Sequence, residues 1–247
     1  TIFGAIQWAV CKAGAIPCTV PTSRSREMTS QGGGVSARRK AFMTTATHAV
    51  RDFFDQRAER WDSYAVHPRD RVDHGLDLAG DMTGWTVLDV GSGTGILVNP
   101  LLSRVGPRGM VVAMDVSPRM IEISKRKHAA PNLSFRVADF LTAPREAKAD
   151  LVVAYSCFPH FSDRDAFMRA AVASLAEGGR LLIAHIESRN AINALHERGA
   201  ASVSNGLPPV AELSAIARSH GFGILAAEDS DQYYALYARQ IGRASCR

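Results

Sequence analysis

Val87-Leu88-Asp89-Val90-Gly91-Ser92-Gly93-Thr94-Gly95, the stretch VLDVGSGTG at residues 87–95, joins a short apolar run to three glycines at alternate positions. The run reads as a strand buried on both faces, as strands of a parallel sheet are. The glycines read as the turn after it, because residues without a Cβ adopt left-handed backbone and let a ligand approach the main chain. In an open parallel sheet, ligands settle outside the carboxyl ends of the strands, where strand order reverses. This one stretch therefore predicts a fold and a place in it where something binds.

The same alternation continues outward. Strand-like runs stand at 86–90 (TVLDV), 110–116 (MVVAMDV), 133–139 (LSFRVAD), 151–156 (LVVAYS), 180–186 (RLLIAHI), 222–229 (FGILAAED) and 233–239 (YYALYAR). Between them, helices are expected at 96–105, 118–128, 163–176, 188–198 and 209–220. Ser117-Pro118 and Ser162-Asp163 serve as starts, and Gly178-Gly179 and Gly221 as stops. Upstream, Val50, Phe53, Phe54, Ala58 and Trp61 recur at steps of three and four, predicting an amphipathic helix over 45–61, and a second helix is expected from Pro68 to Leu78. Strand and helix in turn imply right-handed crossovers and an α/β fold, a three-layer doubly wound Rossmann-like sheet that is mostly parallel.

Glycine spacing narrows the ligand. Asp115 lies twenty residues after Gly95 at the end of the second strand, where a carboxylate accepts hydrogen bonds from ribose hydroxyls. The dinucleotide fingerprint is G-x-G-x-x-G; here the pattern is G-x-G-x-G, with Asp89 two positions before the first glycine. A carboxylate there is unfavourable beside a pyrophosphate and favourable beside an ammonium or sulfonium. That points to S-adenosylmethionine rather than NAD, although Asp89 also suits a purely local role, orienting the turn.

The chain of 247 residues has a formal charge of +5, unevenly spread. Residues 1–42 hold six basic side chains and one acidic, whereas residues 43–240 hold 21 basic and 23 acidic. A mildly acidic body gives no footprint for a phosphate backbone, so no nucleic-acid partner is expected. No apolar run approaches the ~18 residues needed to span a bilayer, so no membrane span is expected. Of four cysteines, Cys11 and Cys18 lie near the start with a spacing that is no zinc signature, and Cys246 lies at the end, which predicts a reducing, cytoplasmic setting. Residues 1–42 lack periodicity and are expected to be a disordered or non-native extension; one domain is expected over 43–240. IGRASCR at 241–247 resembles a translated sequencing adapter and is expected to play no part in function.

VLDVGSGTG, VVAMDVS, RVADF and ADLVVAYSCFPHF, in this order and at these intervals, resemble the successive motifs of class I S-adenosylmethionine-dependent methyltransferases, nearest to the type 11 group that includes quinone-biosynthesis enzymes. The resemblance covers about 43–240. It implies an antiparallel last strand and transfer of a methyl group from S-adenosylmethionine to a small-molecule acceptor. It implies that Gly91, Gly93 and Gly95, with Ser92 between them and Asp89 nearby, line the methionine and ribose portion of the cofactor. Asp115 with Val116 would bind the ribose hydroxyls, Met120 would pack near the adenine, and Ala138, Asp139 and Phe140 would hold the adenine ring and amino group. Tyr155 and Ser156 would face the methionine end and the acceptor. FFDQRAERWD resembles a helix closing over the cofactor, with Phe54, Trp61 or Tyr64 as lid residues; their spacing equally suits a buried helix face.

His160, just past the fourth strand, is the candidate general base, needed where the acceptor must lose a proton. His185 ends the fifth strand and His196 lies on the next helix, so both are candidate substrate contacts. Three histidines could also hold a metal, but their spacing matches no zinc signature and no metal is expected. Two other readings stand beside the methyltransferase. One is an NAD(P)-dependent oxidoreductase, for which the glycine spacing is wrong and no Tyr-x-x-x-Lys pair is present. The other is a nucleotide-binding module without catalysis.

Overall fold

A computed structural model describes residues 45–145 and 147–241. The expectations for residues 1–42 and 242–247, and for the Tyr64 side chain, lie outside what it describes.

Seven strands form one sheet: β1 (Thr86–Val90), β2 (Met110–Asp115), β3 (Leu133–Val137), β4 (Ala149–Tyr155), β5 (Leu175–His185), β6 (Phe222–Asp229) and β7 (Tyr234–Gln240). Their order is β3-β2-β1-β4-β5-β7-β6. The first five pair in parallel, and β7 runs antiparallel to both neighbours. Strand order thus reverses between β1 and β4, as the glycine turn after β1 requires of a binding site.

The helices are α1 (Thr45–Asp55), α2 (Trp61–Tyr64), α3 (Arg69–Asp77), α4 (Val98–Val105), α5 (Pro118–Lys127), α6 (Arg164–Ser174), α7 (Arg189–Gly199) and α8 (Val210–Ser219). Period-two alternation sends successive strand residues to opposite layers. Leu88, Val152, Ala154, Leu181 and Ile183 pack with Phe167 and Met168 of α6 and Leu213 and Ala217 of α8. Val87, Leu151, Val153 and Leu182 pack with Val72 and Leu76 of α3 and Leu101 and Val105 of α4. Burying each such side chain is worth about 1.5–3 kcal/mol, so the two layers hold the strand ends in a fixed array.

Several boundaries differ from expectation, each for a local reason. The helix expected over 45–61 is broken. The Arg57 guanidinium turns back to the Phe53 carbonyl at 2.9 Å and lies over the Phe53 ring, and a 3-10 turn at Ala58–Arg60 comes next. The bend brings Phe54, Ala58 and Trp61 onto Met120 and Ile123 of α5. Helix α4 starts at Val98 rather than 96, because the turn with Gly95 at φ 93° runs on to Leu97. Asp163 rather than Ser162 caps α6, accepting from the Ala166 amide at 2.7 Å. Leu175 is already extended, so β5 begins five residues before 180, with Gly178 at φ 69° inside it.

Candidate functional site

A cavity of about 530 Å³ opens at the carboxyl edge of the sheet, over the reversal between β1 and β4. Its floor is the turn Gly91 to Thr94. Gly91 has φ 66°, and a Cβ there would lie 2.7 Å from Cβ of Cys157; Gly93 has φ 54° and open space above it, with the Trp61 indole nitrogen 4.0 Å from a notional Cβ. Both glycines are needed for their backbone, and Gly93 also for the room it leaves.

Asp115 closes the first side. Its carboxylate accepts from the Gly93 amide and the Ser117 amide, both at 2.8 Å, and it lines the cavity. Burial pushes its pKa up to about 6, against those amide hydrogen bonds. The strand end thus clamps the glycine turn while keeping carboxylate oxygen on the cavity wall. Val116, Met120, Ala138, Asp139 and Phe140 continue this wall. Asp139 is held by the Leu141 amide at 2.9 Å and the Thr47 hydroxyl at 3.1 Å.

The opposite end is built from β4 and the residues just past its carboxyl end. Tyr155 and Ser156 line the cavity. Ser156 has φ 52°, the only left-handed non-glycine residue among those described, a strain of the kind that collects at functional sites. In the 3-10 turn Phe158–His160, the His160 Nδ1 lies 2.9 Å from the Val203 carbonyl. A carbonyl only accepts, so Nδ1 carries the proton and Nε2 keeps its lone pair. Burial lowers the His160 pKa, so the ring is neutral near pH 7.

Helices α1 and α2 roof the cavity through Phe54 and Trp61, which line it while packing on Met120. Polar ties fasten the roof. Asp55 accepts from the Ser117 hydroxyl at 2.5 Å, and Asp62 accepts from the Thr94 hydroxyl at 2.5 Å and pairs with Lys127 at 2.8 Å.

The expected residues divide into two sets. Gly91, Ser92, Gly93, Asp115, Val116, Met120, Ala138, Asp139, Phe140, Tyr155, Ser156 and His160 all line the one cavity. Four do not. Gly95 faces away, where a Cβ would meet the Ser124 hydroxyl and the His128 ring, so its place is close packing of the turn on α5. Asp89 is 1% exposed behind the turn; burial and the Asp115 charge push its pKa up to about 8. His185 is 1% exposed under the β4 and β5 ends, with burial holding its pKa down to about 3. His196 stacks behind His160, ring centroids 5.1 Å apart, and its Nδ1 lies 2.9 Å from the Ser204 hydroxyl. His185 and His196, expected as substrate contacts, thus stand outside the cavity lining. Among the described residues, no group of three His, Cys, Asp or Glu is placed to hold a metal.

Among the cavity residues that went unread in the sequence, His67 carries chemistry. His67 lies in the connection between α2 and α3, lines the cavity, and sets its Nδ1 3.2 Å from the Tyr155 hydroxyl. Its only signal is the adjacent Pro68, which restricts the residue before it to extended backbone.

Residues 87–179 match the family described as methyltransferase domain. Malonyl-[acyl-carrier protein] O-methyltransferase of Acetivibrio thermocellus is 32% identical over 130 residues, 52% of this chain and 46% of that protein. Ubiquinone biosynthesis O-methyltransferase of a Methylobacterium species is 33% identical over 141 residues, 55% of each chain. The chain spans about half the length of these relatives. Among solved structures, a DhpI–SAH complex superposes with a TM-score of 0.64 at 23% identity, covering 80% of this chain and 98% of that one. Magnesium protoporphyrin IX methyltransferase of Synechocystis with bound SAH superposes with a TM-score of 0.58 at 18% identity, covering 79% and 100%. These two share the fold.

Proposed function

We propose that this chain is a class I S-adenosylmethionine-dependent methyltransferase that binds S-adenosylmethionine over the glycine turn and transfers its methyl group to a small-molecule acceptor, releasing S-adenosylhomocysteine. The observation that carries the reading is Asp115. Its carboxylate is tied to the Gly93 and Ser117 amides and still lines a cavity that runs on to a neutral imidazole.

The residues fit the cofactor. The glycine turn leaves a cradle that a Cβ at Gly93 would enter, and Asp115 offers a carboxylate where ribose hydroxyls need one. Met120 and Phe140, both almost fully buried, offer apolar faces for the adenine ring, with Asp139 for its amino group and Ser92 and Val116 beside the ribose. The Asp89 carboxyl has one oxygen without a partner behind the turn. When bound, the cofactor supplies an electrophilic methyl group on a sulfonium, whose positive charge fades in the transition state. The protein then has chiefly to position two reactants and exclude water. Phe54 and Trp61 serve the exclusion. Tyr155 and Ser156 orient the acceptor, and His160, through Nε2, takes the proton from its nucleophilic atom. Free, buried Cys157 suits the reducing, cytoplasmic setting we assign with this reading.

The test is thermal unfolding of the full chain with S-adenosylmethionine, S-adenosylhomocysteine and NAD in parallel. At ~100 times its dissociation constant a ligand adds about 2.7 kcal/mol, a shift of a few degrees. Stabilisation by the two sulfur nucleotides and not by NAD is expected. Stabilisation by NAD alone overturns the reading.

A further inference from the structure

The acceptor end of the cavity is lined by two imidazoles with different hydrogen-bonding faces. His160 spends its N–H on the Val203 carbonyl at 2.9 Å, which leaves Nε2 as an acceptor. His67 is paired instead with a phenol, its Nδ1 3.2 Å from the Tyr155 hydroxyl and the two rings tilted 5.4 Å apart. Burial holds His67 neutral, with a pKa of about 4 even in the field of Asp62, and burial raises the Tyr155 hydroxyl far out of the physiological range. The pair therefore owns two hydrogens, one on the tyrosine oxygen and one on the imidazole. Only one can lie between them. Where Nδ1 accepts, the spare hydrogen is on His67 Nε2; where Nδ1 donates, it is on Tyr155. In either tautomer the pair keeps one donor to offer, while His160 offers an acceptor.

We propose that the acceptor is an uncharged hydroxyl compound, its O–H donated to His160 and its oxygen receiving the hydrogen kept by the His67–Tyr155 pair, so that the reaction is O-methyl transfer. A carboxylate can only accept, and has no hydrogen for His160. An ammonium can only donate, and has no lone pair for the pair's hydrogen or for the methyl group. A hydroxyl does both at one atom; an uncharged amine such as aniline does so too, but its N–H is a weaker donor to His160 than a phenol O–H. The donor also leaves the oxygen a remaining lone pair for attack, and His67 is by this argument a positioning residue acting with Tyr155. In the step, the acceptor's O–H bond breaks and an N–H bond forms at His160 Nε2, while an O–CH3 bond forms and the S–CH3 bond breaks. The positive charge leaves sulfur and appears on the imidazolium, so charge and atoms balance. Phe54, edge-on to His160 at 4.9 Å, and Phe161 supply an apolar bed for the rest of the acceptor.

This inference rests on the methyltransferase reading, and its test separates the two. The full chain, with its histidine ring nitrogens labelled for NMR, is saturated with S-adenosylhomocysteine and titrated separately with phenol, aniline and benzoate. Phenol should shift the His160 Nε2 signal, and Tyr155→Phe should weaken that response about two- to tenfold, as loss of one hydrogen bond does. His67→Gln, which can still bond the Tyr155 hydroxyl, should lose less. An equal or larger response to benzoate or aniline, or no response to any of the three in protein that binds S-adenosylhomocysteine, overturns the hydroxyl assignment and leaves the cofactor reading standing. Failure to bind S-adenosylhomocysteine overturns both.

Discussion

Three glycines alternate in the turn, and their backbones are all left-handed, yet each solves a different problem. Gly91 is pressed against Cys157, Gly95 against Ser124 and His128, and Gly93 against nothing but the cavity below Trp61. Alanine at Gly91 adds backbone strain to a collision with a side chain that is itself packed, a cost of about 1–3 kcal/mol for the strain alone. Alanine at Gly93 meets no atom closer than 4.0 Å, so its cost to the free protein is the strain only, while its methyl group stands in the ligand's space. We therefore expect Gly91→Ala to lower the melting temperature more than Gly93→Ala does. Gly93→Ala should weaken S-adenosylhomocysteine binding by tenfold or more, measured by calorimetry. Wild-type affinity in Gly93→Ala would mean that the turn is not the ligand's floor. Spacing alone made the three glycines look equivalent, because a sequence pattern records where a Cβ is absent and not which neighbour requires it.

At the scale of elements, the carboxyl ends of β1, β2 and β4 supply the floor and walls, and α1 with α2 supplies the roof. The roof is fastened by the apolar packing of Phe54, Ala58 and Trp61 on α5 and by short polar ties. Glu59 pairs with Arg119 at 2.9 Å and with Arg126 at 3.2 Å, but these groups are all about half exposed and such pairs are worth little. The tie from Asp62 to Thr94 differs, because it joins the roof directly to the glycine turn. Asp62→Ala should speed cofactor release and weaken its binding by about tenfold, some 1.4 kcal/mol. Asp62→Asn, which can still accept from Thr94 while losing the charge facing Lys127, should weaken it less. Equal effects of the two substitutions would assign the tie to the ion pair instead. The existence of the strands was legible in their apolar runs, and so was the Ser117 cap of α5, a local rule, whereas their order in the sheet was not. Periodicity showed the roof only as an amphipathic stretch, and only the family resemblance suggested that it lies over the site. The break after Asp55, the reach of Asp55 to Ser117, and His67 with Tyr155 across 88 residues are tertiary pairings that no local periodicity encodes.

For the molecule as a whole, the gathering of buried titratable groups in and behind one cavity makes stability depend on pH in two opposing ways. Burial holds His67 and His196 down to about 4 and His185 down to about 3, and lowers His160 and His128 as well. In the unfolded chain these rings titrate near 6.5, so their stabilisation is complete above that pH. It is lost as pH falls toward the folded values, by up to ~1.4 kcal/mol per pH unit for each proton. Asp115, raised to about 6, and Asp89, raised to about 8, run the other way: their contribution is full below 3.8 and is lost as pH rises through those values. Between about pH 4 and 6 His67, His185 and His196, joined by the lowered His160 and His128, outweigh the two carboxylates, so stability rises with pH. The histidines of the unfolded chain go on losing protons up to about pH 7; beyond that Asp89 dominates and stability falls toward 8. Protein without ligand should therefore melt highest at about pH 7, dropping toward both pH 5 and pH 8. His185→Leu should flatten the acidic limb by about one proton's worth, because that ring's Nε2 has no partner to lose. Thermal melts of both proteins at half-unit steps from pH 5 to 8 decide it. A level wild-type profile from pH 5 to 6.5 would show that the histidines are protonated inside the fold, and with that His160 would lose its claim to a free lone pair; an acidic limb unchanged by His185→Leu would show that this ring does not carry the limb.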